Sequence, residues 1–148
     1  MKEVVDRFLA SPAIAVVGVS ANRRKFGNVV FRELRSRGRN VVPVHRSLES
    51  VEGERCYRSV EDLPAGITGV VTVVPPSETE AVVESCAKKG IGAIWMQQGS
   101  ESPRAIARAA ELKVDTVHGE CLLMFLEPVR SVHGVHRWFA KLFGRYPR

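Results

Sequence analysis

Apolar residues along this chain fall into two alternating rhythms. Continuous apolar runs occur at 13–17 (AIAVV), 40–44 (NVVPV), 69–74 (GVVTVV) and 93–96 (AIWM), with a more mixed run at 114–117. Runs this short and almost wholly apolar predict strands covered on both faces. Between them, apolar residues recur at three- and four-residue spacing, which predicts helices. Val4, Val5, Phe8 and Leu9 mark one over 3–9, and Phe26, Val29, Val30 and Leu34 mark one over 26–37. Ala105, Ile106, Ala109 and Leu112 mark another that opens at Ser102-Pro103. A helix over 77–89 carries Ser77 with Glu80 three residues on, the pattern of a capping box. Ser11-Pro12, Gly38 and Gly90 stop three of these helices. Pro43 cannot donate to a ladder, so its strand is expected to end there or to lie at a sheet edge. Residues 45–54 are polar and read as loop, Cys56-Tyr57 as a short extended piece, and 60–63 as one helical turn before Pro64.

Strands and helices alternate from 13 to 118 in units of about 20–30 residues, which predicts an α/β protein. The expected architecture is a doubly wound parallel sheet of about five strands in one domain, residues 1–127, followed by a tail, 128–148. Right-handed crossovers place the carboxyl ends of all the strands on one edge, where open α/β sheets bind ligands. That edge collects Gly18-Val19-Ser20, His45-Arg46, Val74-Pro75-Pro76 and Gln97-Gln98-Gly99.

The chemistry of this edge favours an anion. Gly18 ends the first strand, and Gly27 lies in the next helix. A glycine turn feeding a helix can present backbone N–H groups to a phosphate. The spacing G-V-S-A-N-R-R-K-F-G lacks the second glycine, at Ser20, of the dinucleotide fingerprint. Arg24 and Lys25 at the loop-to-helix join oppose the helix dipole, a cost that a bound phosphate would offset. After the second strand an NAD site would place an acid, but this chain has His45-Arg46. An arginine there suits a phosphorylated ribose, which coenzyme A and NADP both carry. Val74-Pro75-Pro76 forms a wall with two fewer N–H donors, against which an adenine or a pantetheine arm could lie, or simply a rigid turn before a helix. Gln97 is the better ligand candidate in W-M-Q-Q-G, whereas Trp95 reads as core.

Net charge is +6, with basic residues concentrated at 23–39 and 130–148. That balance admits an anionic ligand or a solvated basic surface. No basic motif interleaved with aromatics appears, so nucleic acid is not expected. No apolar run is long enough to span a bilayer, and the acidic N-terminal stretch is not a secretory signal. Cys56, Cys86 and Cys121 are far apart and odd in number, which suits reduced thiols in the cytoplasm. No residues form a catalytic set by spacing; Cys121 follows His118 and Glu120 with no oxyanion signature around it.

Together these residues resemble the small stand-alone coenzyme A-binding protein family, related to the CoA-binding domain of the succinyl-CoA synthetase α subunit. The landmarks are A-V-V-G-V-S, K-F-G-N-V-V, V-P-V, C-Y-R-S-V-E-D-L-P, V-V-P-P-S, W-M-Q-Q-G and the cysteine of G-E-C-L-L-M, across roughly residues 3–127. The resemblance implies a Rossmann-like fold, with coenzyme A across the strand carboxyl ends and no established catalytic residue. The chain departs from the family pattern twice. His45-Arg46 stands where the family reads Asn-Pro, and Lys25-Phe26 where it commonly reads Arg-Pro.

In the tail, Val132, Val135, His136, Phe139, Leu142 and Phe143 recur at helical spacing opposite His133, Arg137 and Lys141. This predicts a basic amphipathic helix docked on the domain, on a second subunit in a homodimer, or on a membrane surface. His133 and His136 lack further ligands nearby, so no metal site is expected. Three functions compete: a module binding coenzyme A or an acyl-CoA, an NADP-dependent oxidoreductase, and a basic interaction module acting through the tail. The first is preferred.

Overall fold

The computed structural model describes residues 1–126. The expected boundary at 127 and the tail helix, with its two histidines, lie outside the described residues. Helix α1 (Lys2–Leu9) leads into β1 (Ala13–Val17), α2 (Phe26–Ser36) and β2 (Asn40–Val44). A small hairpin follows, β3 (Ser50–Val51) and β4 (Glu54–Arg55). Then come β5 (Gly69–Thr72), α3 (Pro76–Lys89), β6 (Ala93–Met96), α4 (Pro103–Glu111) and β7 (Asp115–His118).

Five strands form one parallel sheet in the order β2-β1-β5-β6-β7. β2 is an edge strand, which is where its Pro43 is tolerated. The order reverses between β1 and β5, so a crevice opens beyond their carboxyl ends.

The central strands β1, β5 and β6 are almost wholly apolar because each face of the sheet has its own core. On one face Ile14, Val16, Val71 and Trp95 pack against Phe8 of α1, Phe31 and Leu34 of α2, and Leu122 and Leu123. On the other, Ala13, Ala15, Val70, Ile94 and Met96 pack against Val83 and Cys86 of α3 and Ala105 and Ala109 of α4. Trp95 is fully buried, edge-on to Phe8 and Phe125 with ring centroids 5.5 Å away in each case. Its indole N–H donates to the Glu120 carbonyl at 3.0 Å. It is core, as expected.

Two local expectations need correction. The polar stretch 45–54 contains the β3–β4 hairpin rather than only loop. The capping box at Ser77 does not form: Pro75 is the N-cap of α3, with Pro76 in its first turn. Proline needs no N–H partner there and its fixed φ starts the helix, so the chain enters α3 earlier than a serine cap would allow. At α4 the expected cap is present, with the Ser102 side chain accepting from Ala105 N–H at 3.0 Å. No helix among the described residues is long and apolar enough to cross a membrane.

Candidate functional site

The turn after β1 is shaped by two glycines in contact. Gly18 has φ +124°, and a Cβ there would lie 2.2 Å from the Val73 carbonyl oxygen. A Cβ on Gly27 would lie 2.2 Å from the Gly18 carbonyl oxygen. β1, β5 and the start of α2 therefore approach at a distance that only glycine permits.

Side chains hold the loop between these glycines. Asn28, fully buried, accepts from Ser20 N–H and donates to the Ser20 carbonyl, both at 2.8 Å. Ser20 Oγ accepts from Asn22 N–H and Asn22 Oδ1 from Arg24 N–H, each at 3.0 Å. Three loop amides are thus already engaged. Those of Val19 and Ala21 have no partner among the described residues, so the anion cradle is narrower than a bare glycine turn implies.

Behind the loop stands Glu52, at the tip of the β3–β4 hairpin. Its side chain is 1% exposed. It accepts from Arg32 at 2.9 Å and from Arg23 and Asn28 at 3.1 Å. Burial alone pushes this carboxyl up, but Asn28, Arg32 and Arg23 outweigh it, so the net shift is below the ordinary carboxylate value. Arg23 is therefore committed to Glu52. The exposed Arg24 and Lys25 side chains have no such partner among the described residues.

In front of the loop, at the β1/β5 switch point, lies a cleft of about 580 Å³. Its floor and walls are apolar: Val17, Val19, Val44, Val60, Val73, Val74, Pro75 and Val82. His45, Arg46, Arg58 and Glu78 bring charge or proton-donating capacity to it, and Ser59, Ser77 and Ser85 bring hydroxyls. The volume and mixed lining are those of a small-molecule site. Arg46 pairs with Glu78 at 3.1 Å, their side chains 83% and 43% exposed. A second hollow, behind the loop, is lined by Ser20, Arg23, Asn28, Arg35 and Glu52.

The fold brings Gly18, Val19, His45, Arg46, Val74 and Pro75 together in the cleft. Other predicted site residues lie elsewhere. Ser20 lines the second hollow, Arg24 and Lys25 stand exposed on the loop, and Gly27 packs on Gly18. Pro76 begins α3 without lining the cleft. Gln97 is 1% exposed, and its Oε1 accepts from Leu122 N–H at 3.0 Å, so it braces the segment after β7. Gly99, with φ +96°, turns the chain after β6 and donates its N–H to Glu101 at 2.9 Å. A buried set of hydroxyls fixes the next residue: Ser100 donates to Thr72 at 3.0 Å, and Thr79 donates to the Ser100 carbonyl at 2.6 Å.

Sequence reasoning missed Arg58, Glu78, Asn28 and Glu52. For Arg58 a faint signal existed in the extended Cys56-Tyr57 piece. Tyr57 N–H donates to the Pro43 carbonyl at 3.0 Å and His45 N–H to the Tyr57 carbonyl at 2.8 Å, which sets Arg58 beside the end of β2.

A family model described as a CoA binding domain matches residues 12–127. The ADP-forming acetate–CoA ligase II subunit alpha of Pyrococcus furiosus is 33% identical over 89 residues, which is 60% of this chain and 20% of that protein. The chain thus spans a fifth of that relative's length. Among solved structures, a conserved hypothetical protein from Pyrococcus furiosus is 34% identical with TM-score 0.74, over 77% of this chain and 98% of its own. A hypothetical protein from Pyrococcus horikoshii OT3 is 31% identical with TM-score 0.75, over 82% and 85%.

Proposed function

This chain belongs to the CoA-binding domain family, and on that premise we propose that it binds coenzyme A along the carboxyl ends of β1, β2 and β5. The observation that carries this reading is the glycine turn opening onto a mostly apolar cleft with His45, Arg46 and Arg58 among its lining, at the switch point. The Val19 amide at the cleft, with the exposed Arg24 and Lys25 of the same loop, suits a diphosphate, while Ala21 lines the second hollow. The valine and proline wall suits the adenine or the pantetheine arm. An acyl group on the thiol would extend beyond this set.

The ligase relative is matched over a fifth of its length. What we take from it is coenzyme binding and not acetate ligation. Three buried, unpaired thiols suit a reducing cytoplasm.

The test is a thermal-shift screen of coenzyme A, acetyl-CoA, NADP and NAD, followed by calorimetry. A ligand of the folded state raises the melting temperature by mass action. Coenzyme A and acetyl-CoA should do so, and Lys25→Glu should weaken coenzyme A binding about tenfold through reversal of one charge-assisted contact. A shift with NADP alone would favour the oxidoreductase reading. No shift with millimolar coenzyme A would end the proposal, and unchanged affinity in Lys25→Glu would remove that residue from the site.

A further inference from the structure

The hollow behind the glycine loop is left unused by the coenzyme A reading. Three segments form it: the β1–α2 loop, α2 and the β3–β4 hairpin. Ala21 and Arg23 line it from the loop, Arg35 from α2, and Ser50 and Glu52 from the hairpin. Its lining is polar, in contrast to the valine and proline walls of the cleft.

The acceptors of Glu52 are already taken. Its Oε1 accepts from Arg23 Nε at 3.1 Å, and its Oε2 from Arg32 at 2.9 Å and Asn28 at 3.1 Å. Its carbonyl accepts from Arg35 Nη1 at 2.6 Å. A metal cation would have to displace two guanidiniums from a carboxylate that is 1% exposed, so the hollow does not suit one.

Donors, by contrast, are left over. The Ala21 N–H and the Ser50 hydroxyl have no partner among the described residues. Among those residues Arg23 gives only its Nε–H to a partner and Arg35 only Nη1, so each guanidinium keeps further N–H groups to donate. Arg35 also lies over the Phe31 ring at 5.2 Å. Both guanidiniums are therefore oriented before a ligand arrives, which lowers the cost of binding one. The charge balance has the same sign. Three guanidiniums, of Arg23, Arg32 and Arg35, face two carboxylates, of Glu52 and Glu54, leaving one positive charge over.

Oriented donors, filled acceptors and surplus positive charge select an oxyanion. The donors come from three segments, so the ligand has to offer acceptors in several directions. A tetrahedral phosphate does so, whereas a carboxylate offers two oxygens in one plane. We propose that the hollow is a second anion site, taking inorganic phosphate or another small tetrahedral oxyanion between the Ala21 N–H, Arg23, Arg35 and Ser50. It shares no lining residue with the cleft, so it stands or falls independently of coenzyme A binding.

Titration of the native chain with inorganic phosphate tests this, by phosphorus NMR line broadening and by calorimetry, in chloride buffer of matched ionic strength without coenzyme. Saturable binding is expected, with sulfate competing and acetate not. Arg35→Ala should weaken phosphate about tenfold, and Ser50→Ala about threefold. Circular dichroism checks that both variants fold; Ser50 is exposed, so its variant decides the matter if Arg35→Ala unfolds. Arg104→Ala removes an 85% exposed charge on α4 and should leave phosphate affinity unchanged. The site is overturned by any of four results: no saturable binding, equal competition by acetate, native affinity in both hollow variants, or a loss in Arg104→Ala as large as in Arg35→Ala. It is overturned equally if Arg58→Ala, in the cleft, weakens phosphate and Arg35→Ala does not.

Discussion

Glu52 offers a sharp test of what shapes the loop. It lies in a two-residue hairpin turn in which it and Gly53 both have positive φ, +52° and +78°. That turn prefers Asn-Gly, and a glutamate there costs about 1 kcal/mol in backbone strain. The compensation is the buried carboxylate's contacts with Arg23, Arg32 and Asn28. Glu52→Gln keeps the shape and removes the charge. Hydrogen bonds to charged groups contribute about 1.5–3 kcal/mol each. Arg23 and Arg32 are 72% and 33% exposed, so water takes over much of what they lose. We expect a net loss of about 2 kcal/mol, or about 4–8 °C in Tm at this chain length. Thermal unfolding followed by circular dichroism from pH 7 to pH 3 measures it. The folded carboxyl titrates below the ordinary value of 4.5. Its contribution is therefore complete above the unfolded value and disappears as pH falls through the folded one. The Tm gap between native and variant should be full at pH 7 and close as the medium is acidified below 4.5. A gap unchanged down to pH 3, or absent at pH 7, would refute the reasoning. Since the same carboxylate holds Arg23 and Asn28, Glu52→Gln should also weaken ligand binding, and Glu52→Gly should show that the loss is not backbone strain.

Gly27→Ala gains helix propensity of at most about 1 kcal/mol but drives its Cβ into the Gly18 carbonyl, so a net loss of about 2 kcal/mol is expected in urea titrations. Gly92→Ala, whose Cβ meets nothing within 4 Å, is the control and should stay within about 0.5 kcal/mol of the native chain. Burial pushes the thiols of Cys56, Cys86 and Cys121 up, the last two to about 12 and about 11. A thiol-specific chromogenic reagent at pH 8 should therefore titrate none of them in the native chain and all three in denaturant. The folded state holds these protons more tightly than the unfolded one, so stability should fall as pH rises above the ordinary thiol value of 9.0.

The sequence by itself determined the sheet. Strands 13–17, 40–44 and 93–96 occupy the expected residues, because a strand covered on both faces must be largely apolar and such short runs leave few alternatives. It also determined the glycine turn and the edge that collects the strand carboxyl ends, since strand direction follows from crossover handedness. Tertiary structure decided which polar residues face the cleft. Gln97, at a strand end like the others, is turned inward to a backbone amide. Arg58, from a piece with no motif, is carried to the mouth by pairing of Tyr57 beside β2. Glu52 and Asn28 lie 24 residues apart and meet only when the hairpin folds against α2. Periodicity records which positions are hidden from water. The partners of a buried charge depend on contacts between distant segments, and no local pattern encodes those.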